Sequence, residues 1–267
     1  MSEYASILAE RDGSLGRITL NRPEARNPLD PTSAAELLHA FDAHMADPDV
    51  RSVVIAANGD AFCAGGDLRQ MGCLRELSAE EAMDWPAPIV EIHRRMLDAP
   101  KPVVAAVDGP ALAGGMGLAG MCDVILATRR SRFGMPEVRM GLFPMIIVAH
   151  LARAIPRKHL LEMMLTGSPI DAEEAWRLGF VNRVVDDAEA LDELVSDYAR
   201  RFERISPAAT RLGRRAFTLM ADLPARQALD AAQFLNLPLF LGDDLAEGAS
   251  AFFEKRQPAW VPVEARS

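Results

Sequence analysis

The chain has 267 residues, of which 49% are apolar and 25% are charged, as expected of a soluble globular protein with a sizeable core. Its formal net charge of −9 argues against a general nucleic-acid-binding protein, because phosphate backbones are bound by clustered lysine and arginine. The three cysteines have neither the number nor the spacing of a disulfide framework or a zinc site.

A cytoplasmic protein that binds no metal is therefore predicted. The N-terminus has no apolar run of the signal-peptide type. The longest apolar stretch, residues 142–152, is shorter than the roughly 20 residues that a membrane-spanning helix needs, so no membrane association is expected.

The first half of the chain alternates between predicted strands and helices. Asp30 and Pro31 predict the start of a helix that continues to residue 46, because aspartate caps helices and proline favours their first position. Residues 71–88 show no clean period and are predicted to be a mobile, partly helical segment. Strands are predicted at 17–20, 53–55, 102–107 and 124–126, and a further helix around 89–96.

The second half is predominantly helical. A last short strand is predicted at residues 184–185, and only helical patterns follow from about residue 191. Strands separated by helices and then helices alone indicate an α/β core with a helical C-terminal part. We place the boundary between residues 1–195 and 196–267.

A glycine-rich stretch contains the pattern G-x-G-x-x-G at residues 115–120. In a dinucleotide-binding motif the first glycine directly follows a strand, whereas here residues 108–114 separate it from the predicted strand. We therefore interpret these glycines differently. A helix that begins near Gly114 would leave its first N–H groups without intrahelical partners, and these could stabilise a developing oxyanion. Close packing of this helix against a sheet would also explain the small residues.

Four segments stand out in order along the chain: ITLNRPEARN at residues 18–27, AFCAGGDL at 61–68, the run from Lys101 through Cys122 and Asp123 to Gly141, and EGASAFFEKR at 247–256. Together they resemble the crotonase superfamily, which is the enoyl-CoA hydratase/isomerase group. The match covers nearly the whole chain in order and spacing. The resemblance implies an α/β fold of spiralling ββα units with a C-terminal helical region, arranged as a homotrimer or a dimer of trimers.

The resemblance also implies coenzyme A thioester substrates without a separate cofactor. By position, the backbone N–H groups of Ala64 and Gly114 match the two oxyanion-hole donors of the family. The positions that match the family's coenzyme A contacts, together with two residues of the last helix that could close over the ligand, are Ala25, Arg26, Gly66, Asp67, Leu68, Phe252 and Lys255.

Glu137 matches one of the two glutamates that the hydratases of this family use, and we predict that it transfers protons. The second glutamate is expected 20 residues earlier, where this chain has Gly117. A hydratase with a single carboxylate, of the methylglutaconyl-CoA type for example, is one interpretation, and a Δ3-Δ2-enoyl-CoA isomerase is another. A third is that a different acid acts, with weak candidates at Glu80, Glu81, Asp84 and Glu91.

The acyl pocket is expected around Gly117 and the apolar segment LFPMIIVAH, which includes Leu142, Met145 and His150. The bulky side chains of this segment favour a tight, apolar pocket, although ordinary core packing would explain each of them singly. The missing second glutamate also leaves open an acyl-CoA-binding protein that has lost turnover.

Overall fold

The computed structural model of the chain describes residues 4–262. Its strands are β1 (Ile7–Asp12), β2 (Leu15–Leu20), β3 (Ser52–Ala57), β4 (Val103–Val107), β5 (Pro110–Leu112), β6 (Val124–Thr128), β7 (Arg132–Gly134), β8 (Ile170–Asp171) and β9 (Arg183–Val185). Its α-helices are α1 (Pro31–Ala46), α2 (Leu68–Met71), α3 (Ala79–Asp84), α4 (Ala87–Leu97), α5 (Gly114–Gly120), α6 (Met145–Ala154), α7 (Arg157–Thr166), α8 (Ala172–Arg177), α9 (Ala188–Glu203), α10 (Pro207–Met220), α11 (Ala225–Leu235), α12 (Leu237–Phe240) and α13 (Asp243–Glu254). Short 3-10 helices cover Pro23–Ala25, Leu74–Glu76 and Pro136–Met140.

Two sheets organise the core. The larger has the strand order β1-β2-β3-β4-β6-β9, in which only the β1–β2 pair is antiparallel. The smaller has the order β5-β7-β8, with β5 and β7 parallel. The predicted strands are thus confirmed, whereas β1 and the short strands of the smaller sheet were not predicted from the sequence.

The larger sheet is covered on both faces, which explains why β4 consists of five buried residues in succession. The main core lies on the face that packs against α1, α4 and α5. A smaller cluster on the other face receives Leu191, Val195 and Ala199 from α9.

The helix predicted to follow Asp30 is confirmed, with a reciprocal cap. The Asp30 side chain accepts a hydrogen bond from the Ser33 backbone N–H, and the Ser33 hydroxyl accepts one from the Asp30 N–H. In the segment predicted to be partly helical, Ser78 and Glu81 cap α3 in the same reciprocal way. The mobility predicted for that segment stays a prediction.

The domain boundary predicted after residue 195 falls inside α9, and the division into two parts stays a prediction. This helix runs from Ala188 to Glu203 without a break, and its apolar face packs on the core sheet. The helices that project beyond the core therefore begin with α10. Arg214 of α10 ties them to the core, since its guanidinium pairs with Asp123 at 2.8 Å and donates to the carbonyl of Met96. Within residues 4–262, no helix is long and apolar enough to cross a membrane.

Candidate active site

A cleft of about 830 Å³ opens where the loop after β3, the start of α5 and the segment after β7 converge. Its walls are mainly apolar, and the charged residues that line it are Glu24, Asp67, Arg69 and Glu137. The remaining lining residues are Ala25, Pro28, Leu29, Ala64, Gly66, Leu68, Met71, Trp85, Pro86, Ile89, Ala113, Gly114, Pro136, Met140, Leu142, Phe143, Pro144, Met145, Ile146 and Ile147.

Ala64 and Gly114, which are predicted to supply the oxyanion-hole donors, both line this cleft. Gly65 brings their two loops into contact. Its φ of +101° lies in the region that favours glycine, and a Cβ there would approach the Ala113 Cβ to 2.6 Å. Gly114 is the first residue of α5, so its N–H has no intrahelical partner. The next residue, Gly115, packs so closely on Cys63 that a Cβ at position 115 would lie 2.3 Å from the Cys63 carbonyl oxygen.

The Ala64 N–H already has a partner in this structure. It donates to the carbonyl oxygen of Arg26 at 3.0 Å. A ligand oxygen in the cleft must therefore share this donor with Arg26 or displace it. This places Arg26 at the site through its backbone, although its side chain is not among the groups that line the cleft.

The loop that carries Ala25 and Arg26 is held by Asn27, which sequence reasoning did not select as a site residue. Arg26 and Asn27 both have left-handed backbone angles, with φ of 61° and 51°. The buried Asn27 amide donates to the carbonyl oxygens of Asn58 and Ala61, each at 2.9 Å. It thereby fastens the loop to the segment that leads into Ala64. An asparagine in a proline-rich loop is a weak signal, because asparagine is common in turns for local reasons.

Glu137 lies in the first turn of the 3-10 helix Pro136–Met140 and lines the cleft. Pro136 occupies the start of this turn, where its missing N–H costs nothing. Burial raises the pKa of the Glu137 carboxyl above its ordinary value of 4.5. Its Oε2 is buried and has no hydrogen-bond partner among residues 4–262. The carboxyl is therefore available to a ligand and destabilised as an anion.

Gly117 does not leave a gap at the site. It is buried in α5, and a Cβ there would lie 2.1 Å from Cγ2 of Ile147 on α6. Ile147 is 4% exposed and lines the cleft itself. The space that a side chain at position 117 would need is therefore occupied by a neighbouring helix.

Two histidines lie behind Ile147. His150 is near Gly117, with its Nε2 3.0 Å from the Gly117 carbonyl oxygen, and its ring centroid is 5.2 Å from that of His93 on α4. Neither histidine is among the residues that line the cleft. Burial lowers the pKa of each to about 4, so both are neutral near pH 7.

The predicted coenzyme A residues fall into two groups. Ala25, Gly66, Asp67 and Leu68 line the main cleft, next to Ala64. Phe252 and Lys255 instead line a separate cavity of about 700 Å³ at the end of α13. A single copy of the chain does not bring the two groups together.

Similarity to known proteins extends over nearly the whole chain. The sequence model of the enoyl-CoA hydratase/isomerase family matches residues 10–262. The chain belongs to the enoyl-CoA hydratase/isomerase family. A provisionally named enoyl-CoA hydratase of Thermus thermophilus is 38% identical over 246 residues, which cover 92% of this chain and 97% of the relative.

Other family members extend this picture. The (E)-benzylidenesuccinyl-CoA hydratase of Thauera aromatica is 34% identical and covers 95% of this chain and 98% of its own length. The crystal structure of an enoyl-CoA hydratase from Mycobacterium smegmatis superimposes with a TM-score of 0.90 at 36% identity, covering 96% of this chain and 98% of that one. The fold is thus the α/β crotonase fold with C-terminal helices, and the protein is an enzyme of the enoyl-CoA hydratase type.

Sequence reasoning did not single out Ile147, which lines the cleft, or His93, which lies close to Gly117 behind it. Ile147 was noticed only as part of an apolar segment, and nothing in the pattern distinguishes it from Ile146. His93 lies on a predicted helix with no partner at a telling spacing. Only the packing of α4, α5 and α6 brings these residues to one place.

Proposed function

We propose that this enzyme adds water across the double bond of a 2-enoyl coenzyme A thioester, with Glu137 as its acid/base residue and the backbone N–H groups of Ala64 and Gly114 as its oxyanion hole. The observation that carries the proposal is the half-buried carboxyl of Glu137, whose Oε2 has no hydrogen-bond partner among the described residues, in the same cleft as these two N–H groups.

Polarisation of the thioester is the first requirement. Addition to the β-carbon turns the thioester into an enolate whose negative charge is on the thioester oxygen. The N–H of Gly114 is free of intrahelical bonding, and that of Ala64 would exchange or share Arg26 as its partner. Preorganised donors of this kind stabilise charge as it develops, and one is typically worth about 3–4 kcal/mol in the transition state.

Proton transfer is the second requirement. In its anionic form Glu137 takes a proton from water while the water oxygen forms a bond to the β-carbon, and the π electrons move to the enolate oxygen. The protonated Glu137 then returns the proton to the α-carbon as the thioester carbonyl re-forms. The balance is one water added for each double bond lost. A carboxyl whose pKa is raised by burial is suited to both halves of this cycle.

Assembly is the third element of the proposal. Helices α10 to α13 expose large apolar side chains, with Phe217, Phe234, Phe240, Phe252 and Phe253 each between 64% and 80% exposed. Apolar surface of this extent is typical of an interface. We propose that these helices contact further copies of the chain in a trimer or a dimer of trimers. In such an assembly Phe252 and Lys255 could reach the coenzyme A of a neighbouring copy.

The experiment offers purified protein a panel of 2-enoyl, 3-enoyl and methylglutaconyl thioesters and follows products by mass spectrometry in H2¹⁸O. Hydration is expected to give a 3-hydroxyacyl thioester that carries one ¹⁸O. Glu137→Gln is the matched variant, since it keeps the size of the side chain and removes its acid/base function.

Each contrary outcome is informative. Binding without conversion of any thioester would identify an acyl-CoA-binding protein instead. Conversion undiminished in Glu137→Gln would remove Glu137 from the mechanism. A third outcome, isomerisation of 3-enoyl to 2-enoyl thioesters without ¹⁸O, has one observation in its favour. Ile147 occupies the place of a second carboxylate, and a single carboxylate suffices to move a proton between two carbons.

A further inference from the structure

Ile147 lies between the cleft, which it lines, and the buried interior of the protein. Its Cγ2 fills the volume where a Cβ on residue 117 would be, and its Cβ is 2.8 Å from that point. The same side chain lines the cleft. One apolar side chain thus leaves room only for glycine at position 117 and also forms part of the cleft wall that an acyl group would contact.

The groups on the far side of Ile147 carry no positive charge that would compensate a buried anion. The Nε2 of His93 lies 3.7 Å from the same Cβ point, and His150 is beside it. With pKa values of about 4, neither imidazole carries a positive charge near pH 7. Among the described residues that line the cleft, Arg69 is the only cation, and its side chain is exposed on α2, directly after the Ala64–Asp67 loop.

The wall next to Ile147 is apolar as well. Its neighbours along the chain that line the cleft are Leu142, Phe143, Met145 and Ile146. A carboxylate held against such a surface loses part of its hydration and gains no cationic partner there, which costs free energy.

We propose that Ile147 is the residue that sets acyl specificity, and that it restricts the enzyme to thioesters whose acyl chain ends in an uncharged, apolar group. Acyl chains with a distal carboxylate, including methylglutaconyl chains, are rejected. This inference rests on the proposed function only in taking the cleft to be the thioester site.

The test compares hexanoyl-CoA with adipoyl-CoA by isothermal titration calorimetry at pH 7.5. The two six-carbon acyl groups differ only at the far end, a methyl group against a carboxylate, and neither has a double bond to react. Wild-type protein is expected to bind adipoyl-CoA at least about a hundredfold more weakly, because the carboxylate would be desolvated without a partner.

The variants assign the selectivity to one residue. Ile147→Ala opens the wall toward the two imidazoles and toward water, and is expected to reduce the hexanoyl/adipoyl ratio at least about tenfold. Ile146→Ala, which shortens the adjacent side chain in the same cleft, is expected to change both affinities together. If the alanine variant does not fold, Ile147→Val replaces it in the test, and a smaller reduction of the hexanoyl/adipoyl ratio is expected.

The outcomes separate the two proposals. Equal binding of both ligands by wild-type protein overturns the specificity inference and leaves the proposed function intact. An equal change of the ratio in the Ile146 and Ile147 variants overturns the assignment to Ile147. Failure to bind either acyl-CoA, or coenzyme A itself, would overturn the proposed function and the inference that rests on it.

Discussion

The two ends of the cleft are built on different principles. The end that holds Ala64 and Gly114 consists of small residues and backbone groups, and its geometry follows from how closely two loops approach each other. The end that holds Met145 and Ile147 consists of bulky side chains on α6. Chemistry common to a family can be held by backbone, which substitution rarely removes, whereas selectivity is left to side chains that substitution changes freely. The predictions below test this division.

The largest effect is expected at Glu137, the proposed acid/base residue, which lines the same cleft. Glu137→Gln is expected to lower kcat/KM by about a thousandfold, within the usual range for loss of a general acid/base. The reactive base is the anion, so wild-type kcat/KM should fall as the pH is lowered through a Glu137 pKa that burial raises above 4.5. Steady-state pH profiles test both points. An acidic limb that survives unchanged in the variant would assign it to another group.

The backbone end is tested by removing a single N–H. Gly114 is at the first position of α5, so Gly114→Pro deletes the donor without removing an intrahelical hydrogen bond. Because Ala113 has a φ of 50°, outside the extended region that a residue before proline adopts, urea unfolding of this variant is measured beside its kinetics. We expect kcat to fall by about 10²–10³, as for loss of one oxyanion-hole donor. Gly114→Ala keeps the N–H and has room, since its Cβ would lie 3.8 Å from the nearest atom, Cδ2 of Leu29. Equal losses in both variants would argue against a role for the N–H.

The side-chain end is tested by a double-mutant cycle on stability. Gly117→Ala is expected to lower the free energy of unfolding by about 1–3 kcal/mol, because its Cβ collides with Ile147. Ile147→Ala alone should cost about 2–5 kcal/mol. Together the two should cost less than their sum by about 1–3 kcal/mol, since the alanine methyl occupies part of the space that Ile147 vacates. Urea unfolding measures each variant, and rescue by Ile146→Ala would contradict the packing described.

The smallest effect concerns the histidines behind that wall. Their folded-state pKa of about 4 lies below the ordinary 6.5, so the unfolded chain binds protons first as the pH falls. The free energy of unfolding therefore falls as the pH is lowered from 6.5 toward 4, because the unfolded chain takes up protons that the folded protein does not. The fall is at most about 1.4 kcal/mol per pH unit for each histidine. Urea unfolding between pH 7 and 5 should show a shallower loss in His93→Leu.

Much of the backbone could be predicted from local pattern. The cap at Asp30 and Pro31 predicted α1, and the continuous apolar run predicted β4, because both signals depend only on neighbouring residues. The short strands β5, β7 and β8 could not be predicted, since two or three residues carry too little periodicity. The boundary at residue 195 stays a prediction; it falls inside α9 because the sequence does not distinguish a helix that packs on the sheet from one that lies beyond it.

The sequence by itself determined the family and the glycines that let two loops meet. It also predicted Glu137 as the proton-transfer residue, with no second glutamate at position 117. These are properties of residue type and spacing, which a linear pattern preserves. Only the tertiary structure decided that position 117 is filled by Ile147, that the Ala64 N–H is engaged by Arg26, and that Phe252 and Lys255 lie apart from the main cleft. The first two depend on contacts between residues about 30 to 40 positions apart, and the third depends on where α13 packs; local propensity encodes none of these.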